Sequence, residues 1–383
     1  MKKSLILILT LAVIVVIAFA GCNSTAPTNS TTPSVSPAAP TATAPAATTA
    51  DTGKKVKAGF IYIGPADDGG FSTSHDNGRK YVEQKLGIET MYKELVPESS
   101  EIDGVIDNMI DQGCNMIFTC SYGYMDFTEK KAAEYPDVYF LHCSGNKSNG
   151  KNFINYFGRI EQSRFLTGLA AGKATKSNKI GYVAAFAIPE VNRGINAFAL
   201  GVAAVNPKAT VEVTWTNDWV DATKAKEAAK ALIAKGCDVI AQHQDATSPQ
   251  VAAEEAKVFS VGYHMDMSGS APNANIASAV WNWGPYYESV IKSVMDGKFD
   301  GKNYWGGMKD GVVDVVLTKN APEGTQALVD QYKAKIIDGS FDIFQGPIKD
   351  NKGNVMVKEG EKLTDEQQLG MMWLNSNVIG EVK

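Results

Sequence analysis

The sequence predicts an α/β protein of two similar lobes, each a parallel sheet with helices on both faces. Two observations carry this. Apolar segments without polar alternation, such as "KVKAGFIYIG" (55–64) and "CNMIFTC" (114–120), are separated by amphipathic stretches such as "SEIDGVIDNMIDQG" (100–113). Strands buried on both faces and joined through helices form a parallel sheet. The chain also states this plan twice, at an offset of about 120 residues. Two tandem lobes explain that repeat more simply than a chance run of βα units.

The elements follow in order. "KVKAGFIYIG" is a buried strand, "HDNGRKYVEQKLG" (75–87) a helix and "ETMYKELVP" (89–97) the second strand. The helix "SEIDGVIDNMIDQG", the strand "CNMIFTC", the helix "FTEKKAAEYP" and the strand "DVYFLHCSG" complete the first set. In the second half "NKIGYVAAF" answers the first strand, "GINAFALGVAAVNP" the first helix and "TVEVTWTN" the second strand. "MIDQGCNMIFTC" is echoed by "LIAKGCDVIAQH", with Gly113 and Gly236 each ending a helix before a cysteine, and "PDVYFLHCSG" by "AKVFSVGYHM".

The N-terminus has a different character. Lys2 and Lys3 precede an apolar run from Leu5 to Ala20 that closes on "AFAGC" at Cys22. The run is short for a bilayer span, and its flanks read as a secretory signal, residues 1–21. The small residues before Cys22 resemble a lipobox, which implies a lipidated Cys22 and a protein tethered on the extracytoplasmic side of the cell membrane. The alternative is an uncleaved anchor. Residues 22–53 are almost wholly Ser, Thr, Pro and Ala, too poor in apolar surface to offset chain entropy, and are expected to form a disordered stalk.

A formal charge of -5 argues against a nucleic-acid partner. Cys114, Cys120, Cys143 and Cys237 match no zinc spacing. Cys114 and Cys237 read as small core residues, and a disulfide within the four is compatible with export, without a preferred pair.

In open α/β sheets ligands lie beyond the carboxyl ends of the strands. That selects the loops Gly64–Asp76, Ser121–Asp126, Phe186–Asn192, Gln242–Ala246 and Tyr263–Asp266. The first, "GPADDGGFSTSHDNGR", lacks the lysine of a phosphate-binding loop and the GxGxxG fingerprint, and its Asp67 and Asp68 would repel phosphate. Its glycines permit close backbone approach, with Phe71 placed to stack; an acidic surface turn is the plainer alternative. "SYGYMD" pairs Tyr122 with Asp126, "FAIPEVNRG" pairs Phe186 with Glu190 and Asn192, and "AVWNWGPYY" concentrates Trp281 and Trp283 with two tyrosines. Some of these rings must be core. Flat rings beside carboxylates and amides suit a planar heteroaromatic ligand.

Enzymatic readings fare poorly, since neither GxSxG nor HExxH occurs. His243, His264 and Asp266 would make a metal site only if they converged. No cofactor is expected.

Together the loops "GPADDGGFSTSHDNGR", "TCSYGYMDF", "IPEVNRGINAFALGV", "DVIAQHQD" and "VWNWGPYYESVIKSVMDG" resemble the basic membrane lipoprotein family, solute-binding components of ABC importers for purine nucleosides and related compounds. The likeness runs from about Lys54 onward. It implies a type I periplasmic-binding-protein fold, two Rossmann-like lobes joined by a three-crossing hinge. The first lobe would take about 54–158 plus 284–305, the second about 159–283 plus 306–383. The partners implied are a purine, a permease with its ATPase, and the membrane through Cys22, with the protein itself a monomer. A sensor presenting ligand to a membrane receptor is the rival role.

Carried over by position, the family pattern keeps Phe71 as the first aromatic and puts His75 and Asp76 at later ligand-facing positions. Asp76 and Asp126 become acceptors for purine N–H groups and Phe186 the second-lobe stacking ring. The departures are His264, where the family has a ribose-gripping Asp, and Trp281 (or Trp283), where it has a sugar-contacting Lys. With His264 and Asp266 at the former sugar end, underpaired sugar hydroxyls would cost about 1–3 kcal/mol each. The expectation is therefore a free base such as adenine ahead of a nucleoside such as adenosine, inosine or guanosine.

Overall fold

The computed structural model describes residues 53–382. The signal segment 1–21, Cys22 and nearly all of the 22–53 stalk lie outside the described residues. Among the described residues no helix is long and apolar enough to cross a membrane.

The first set of elements is β1 (Lys57–Tyr62), α1 (Phe71–Leu86), β2 (Glu89–Lys93), α2 (Glu101–Asp111), β3 (Met116–Cys120), α3 (Met125–Glu134), β4 (Tyr139–Cys143) and β5 (Phe153–Gly158). The second is α4 (Ile160–Ala174), β6 (Lys179–Ala184), α5 (Pro189–Val205), β7 (Thr210–Trp215), α6 (Ala222–Ala234), β8 (Val239–His243), α7 (Ser248–Ala256), β9 (Phe259–His264) and β10 (Asn275–Trp281). Then come α8 (Trp283–Met295), β11 (Tyr304–Gly306), β12 (Val313–Leu317), α9 (Thr325–Asp338), β13 (Ile348–Lys349), β14 (Val355–Val357), α10 (Asp365–Leu369) and β15 (Val378–Ile379).

Two large sheets result, ordered β11-β5-β4-β3-β1-β2 and β12-β10-β9-β8-β6-β7-β15. Every pair is parallel except β10–β12. The repeat visible in the sequence is thus a repeat of strand order: β2-β1-β3-β4-β5 in one lobe, β7-β6-β8-β9-β10 in the other. The chain passes between the sheets after β5 at Arg159, after β10 at Asn282 and after β11 before β12. Strand interiors such as β3, β5 and β8 are buried throughout, as strands covered on both faces must be. All four described cysteines are buried free thiols.

One boundary differs from expectation in a way that matters. Helix α1 opens at Phe71, so His75 and Asp76 lie inside the helix rather than in the loop before it. Asp68 is the cause. Its carboxylate accepts from the backbone N–H groups of Gly70 (2.7 Å), Ser72 (3.0 Å) and Thr73 (3.0 Å), pairing donors that the first helical turn leaves without partners.

Candidate functional site

The carboxyl ends of the two sheets face each other across a narrow cleft. The first lobe supplies Phe71, Ser121, Tyr122, Ser144 and Phe157; the second supplies Glu190, Trp219, His243, Asp245, Tyr263 and His264. Tyr122, Ser144, Phe157 and Glu190 also line a wider chamber on the hinge side, with Arg193, Asn155, Asn303 and Trp305.

The end of the cavity at Asp245 is sealed by contact between lobes. A Cβ placed on Gly70, at the start of α1, would lie 1.8 Å from the Asp245 carbonyl oxygen. Only glycine allows that approach. The Asp245 backbone N–H donates to the Trp219 carbonyl at 3.0 Å, joining the loops after β7 and β8. Aromatic rings form the walls: Phe71 lies 5.2 Å from the His264 ring, and Trp219 lies 5.1 Å from Phe186 and 6.3 Å from His243.

Charge is arranged around these rings. Burial pushes the Asp245 carboxyl well above the ordinary carboxylate range, and Asp68, Glu98, Glu190 and Asp218 push the same way. Burial also raises Glu190, against the Ser144 hydroxyl and Arg193, which lower it. His243 and His264 are held neutral, first by burial and then by the cation of Arg164. The Arg164 guanidinium is fully buried, 3.5 Å above the Tyr263 ring, and donates to the Gln242 carbonyl at 2.8 Å. The site therefore offers two carboxyl groups and two neutral imidazoles between flat faces. That chemistry binds a planar ligand with N–H and acceptor edges.

Four residues selected from sequence line this cavity: Phe71, Tyr122, Glu190 and His264. The structure places the others elsewhere. Asp76 is not an open acceptor. Its helical position sets it three and four residues before Arg79 and Lys80, which hold its carboxylate at 2.6 and 2.7 Å. His75 is buried behind Phe71, bonded through Nδ1 to the Tyr287 hydroxyl at 2.5 Å, and burial alone lowers its pKa to about 3. Asp126 sits in the first turn of α3 facing solvent, paired with Lys147 at 2.9 Å. Asn192 points away from the cleft and donates to the Met371 carbonyl at 3.1 Å.

Phe186 packs on Trp219 just outside the cavity. Asp266 is exposed and accepts from the Ser268 N–H. Among the described residues no group of three or more His, Cys, Asp or Glu is placed to hold a metal. Trp281 and Trp283 flank the second hinge crossing. Their rings stack at 4.6 Å, and Trp283 stacks in turn on His75 at 4.8 Å. They are hinge packing, although Trp281 reaches the site indirectly by donating to His264 Nδ1 at 3.1 Å.

Sequence reasoning did not single out Ser144, Phe157, Trp219, Asp245 or Tyr263 as ligand residues. The signal was available, because each lies at or just beyond the end of a strand in the two sheets.

Two α/β lobes, three crossings between them and a closed aromatic cavity at the strand ends define the class: the chain is a solute-binding protein of ABC transporters, a carrier rather than an enzyme. It belongs to the PnrA-like ABC transporter substrate-binding proteins, whose family profile matches residues 55–352. A purine-binding protein of Brucella abortus is 40% identical over 320 residues, 83% of this chain and 91% of that one. A Haloferax volcanii ABC transporter protein, whose name provisionally assigns it glucose, is 39% identical over 77% of this chain and 75% of its own. Among solved structures, an ABC transporter solute-binding protein from Aeropyrum pernix superposes with a TM-score of 0.65 at 21% identity, covering 77% of this chain and 93% of that one.

Proposed function

We propose that this protein captures a purine between its lobes, takes the free base in preference to the nucleoside, and delivers it to a membrane permease driven by ATP hydrolysis. Lipid on Cys22 would hold it at the extracytoplasmic face of the cell membrane. The observation that carries the ligand assignment is the lining of the cleft: two carboxyl groups and two neutral imidazoles set between aromatic faces. The 40% identity to a purine-binding protein supports the same class. The preference for a base rests on the His264 end, where the Trp281–His264 pair closes the wall.

A second reading has its own observation. The wider hinge-side chamber adjoins the cavity through Glu190 and would accept a ribose in the opposite direction. Calorimetric titration of protein unfolded and refolded to strip carried-over ligand decides between them. Adenine, guanine and hypoxanthine are run against adenosine, guanosine, inosine and glucose. The proposal expects bases to bind at least tenfold tighter than nucleosides, about 1.4 kcal/mol. Tighter nucleosides favour the hinge-side chamber, and binding of glucose alone removes the purine assignment.

A further inference from the structure

The hydrogen bonds behind the cavity wall single out one residue that no ligand would touch. Trp281 Nε1 can only donate, and it donates to His264 Nδ1 at 3.1 Å. That ring nitrogen must accept, so the proton of the neutral imidazole sits on Nε2. Both neighbours of Nε2 are oxygens: the Gln244 carbonyl at 3.1 Å, to which it donates, and Asp245 Oδ1 at 3.3 Å. With the other tautomer a nitrogen lone pair would face two acceptors at once. His264 holds this position in a left-handed backbone conformation, φ 72°. For a non-glycine residue that conformation is strained, and such strain clusters at functional sites. The Trp281 bond and the stack of Trp281 on Trp283 help fix the ring there.

We infer that Trp281 is a specificity-determining positioning residue. It fixes the tautomer of His264, whose Nε2–H donates to the Gln244 carbonyl and lies 3.3 Å from Asp245 Oδ1, and so sets Asp245, the cavity carboxyl that reads a purine N–H. The inference rests on the purine reading above. An N–H beside Asp245 matters because burial opposes the ionisation of that carboxyl, as do Asp68 from the loop before α1, Glu98 from the loop before α2, Glu190 from α5 and Asp218 from the loop after β7. The N–H of His264 works against them. Without it Asp245 would stay protonated over a wider range and present a donor where the ligand also donates.

The test uses adenine as probe, with the wild type, Trp281→Phe and Asp245→Asn titrated between pH 5 and 8. Trp281→Phe keeps an aromatic ring against Trp283 and removes only the N–H. The expected result is adenine binding at least fivefold weaker at pH 7, with the acidic limb of the affinity profile moved to higher pH. Asp245→Asn should weaken binding at least tenfold and lose that limb. A purely structural role for Trp281 would lower the melting temperature and leave the limb in place. Adenine affinity within twofold of wild type and an unmoved limb in Trp281→Phe overturn the inference, as does full affinity in Asp245→Asn should Trp281→Phe not fold. If the wild type binds no purine, the purine reading fails and this assignment with it.

Discussion

Two aromatic clusters lie within a few residues of each other in this protein, and they do opposite work. In the hinge cluster, His75, Trp283 and Trp281 stack in a column, with Tyr287 and Tyr156 bonded beside it. Most of its polar atoms are turned on one another: Trp283 Nε1 donates to Ser74, Trp281 Nε1 to His264, and the Tyr156 and Tyr287 hydroxyls meet at 2.9 Å, while His75 Nε2 has no partner among the described residues. In the cavity cluster, Phe71, Trp219 and Tyr263 surround two carboxyl and two imidazole groups, among them His243, whose Nδ1 has no partner among the described residues. A dense run of aromatics therefore does not mark a ligand surface. Aromatics that face carboxyl and imidazole groups across a cleft between the lobes do, because those groups can pair with what enters it.

The difference can be broken from either side. Trp283→Ala empties the middle of the hinge column and should destabilise the protein by about 3–5 kcal/mol, seen as a fall in the denaturation midpoint, with purine affinity reduced only as far as folding is. Gly70→Ala should leave stability nearly intact yet weaken binding by tenfold or more, about 1.4 kcal/mol, because the added methyl holds the lobes apart at Asp245; small-angle scattering of the liganded variant should show an open form. Trp219→Ala should cost about 2 kcal/mol of binding, the loss expected of a buried aromatic anchor, with little change in unliganded stability. At the small end, Asp126→Asn should change binding by less than about 0.5 kcal/mol, since that carboxylate is exposed and paired with Lys147.

pH acts on the imidazoles and the carboxyls in opposite senses. His75 and His142 are buried neutral, with burial lowering their pKa to about 3 and about 4, and the cavity's His243 and His264 are lowered too. Depressed folded-state values give stability that is present above the unfolded value, about 6.5, and lost as pH falls below it. Asp245 and Glu190 are raised, so the stability they lend the unliganded form is present at low pH and lost as pH rises through their folded values. An N–H ligand prefers ionised Asp245. Thermal melts should therefore show the unliganded protein weakening below pH 6.5, and the stabilisation by ligand growing as pH rises.

Much of the architecture was legible because it is local and repeated. Strand runs without polar alternation and the doubled "QGCNMIFTC" and "KGCDVIAQH" segments announce two parallel sheets with the same strand order. The exchange of β11 and β12 between sheets was not legible from periodicity, since it depends on pairing across more than a hundred residues, Tyr304 with Tyr156. The site was legible as a set of loops and less so as individual side chains. Phe71, Glu190 and His264 follow directly from being at strand ends. Asp76 and Asp126 do not reach the cavity because helix starts set by Asp68 and by the turn at Tyr122–Tyr124 put them on the wrong side of α1 and α3. Asp245 lay within a selected strand-end loop but was not distinguishable there: its importance comes from Gly70, Trp219 and His264, three partners from three other segments.

Tryptophan fluorescence on adding adenine tests the central claim, that ligand meets the cavity cluster and not the hinge column, most directly. The account predicts that the ligand-induced change seen in the wild type disappears in Trp219→Phe and persists in Trp283→Phe. A change that survives in Trp219→Phe and vanishes in Trp283→Phe would place the ligand on the hinge column and contradict it.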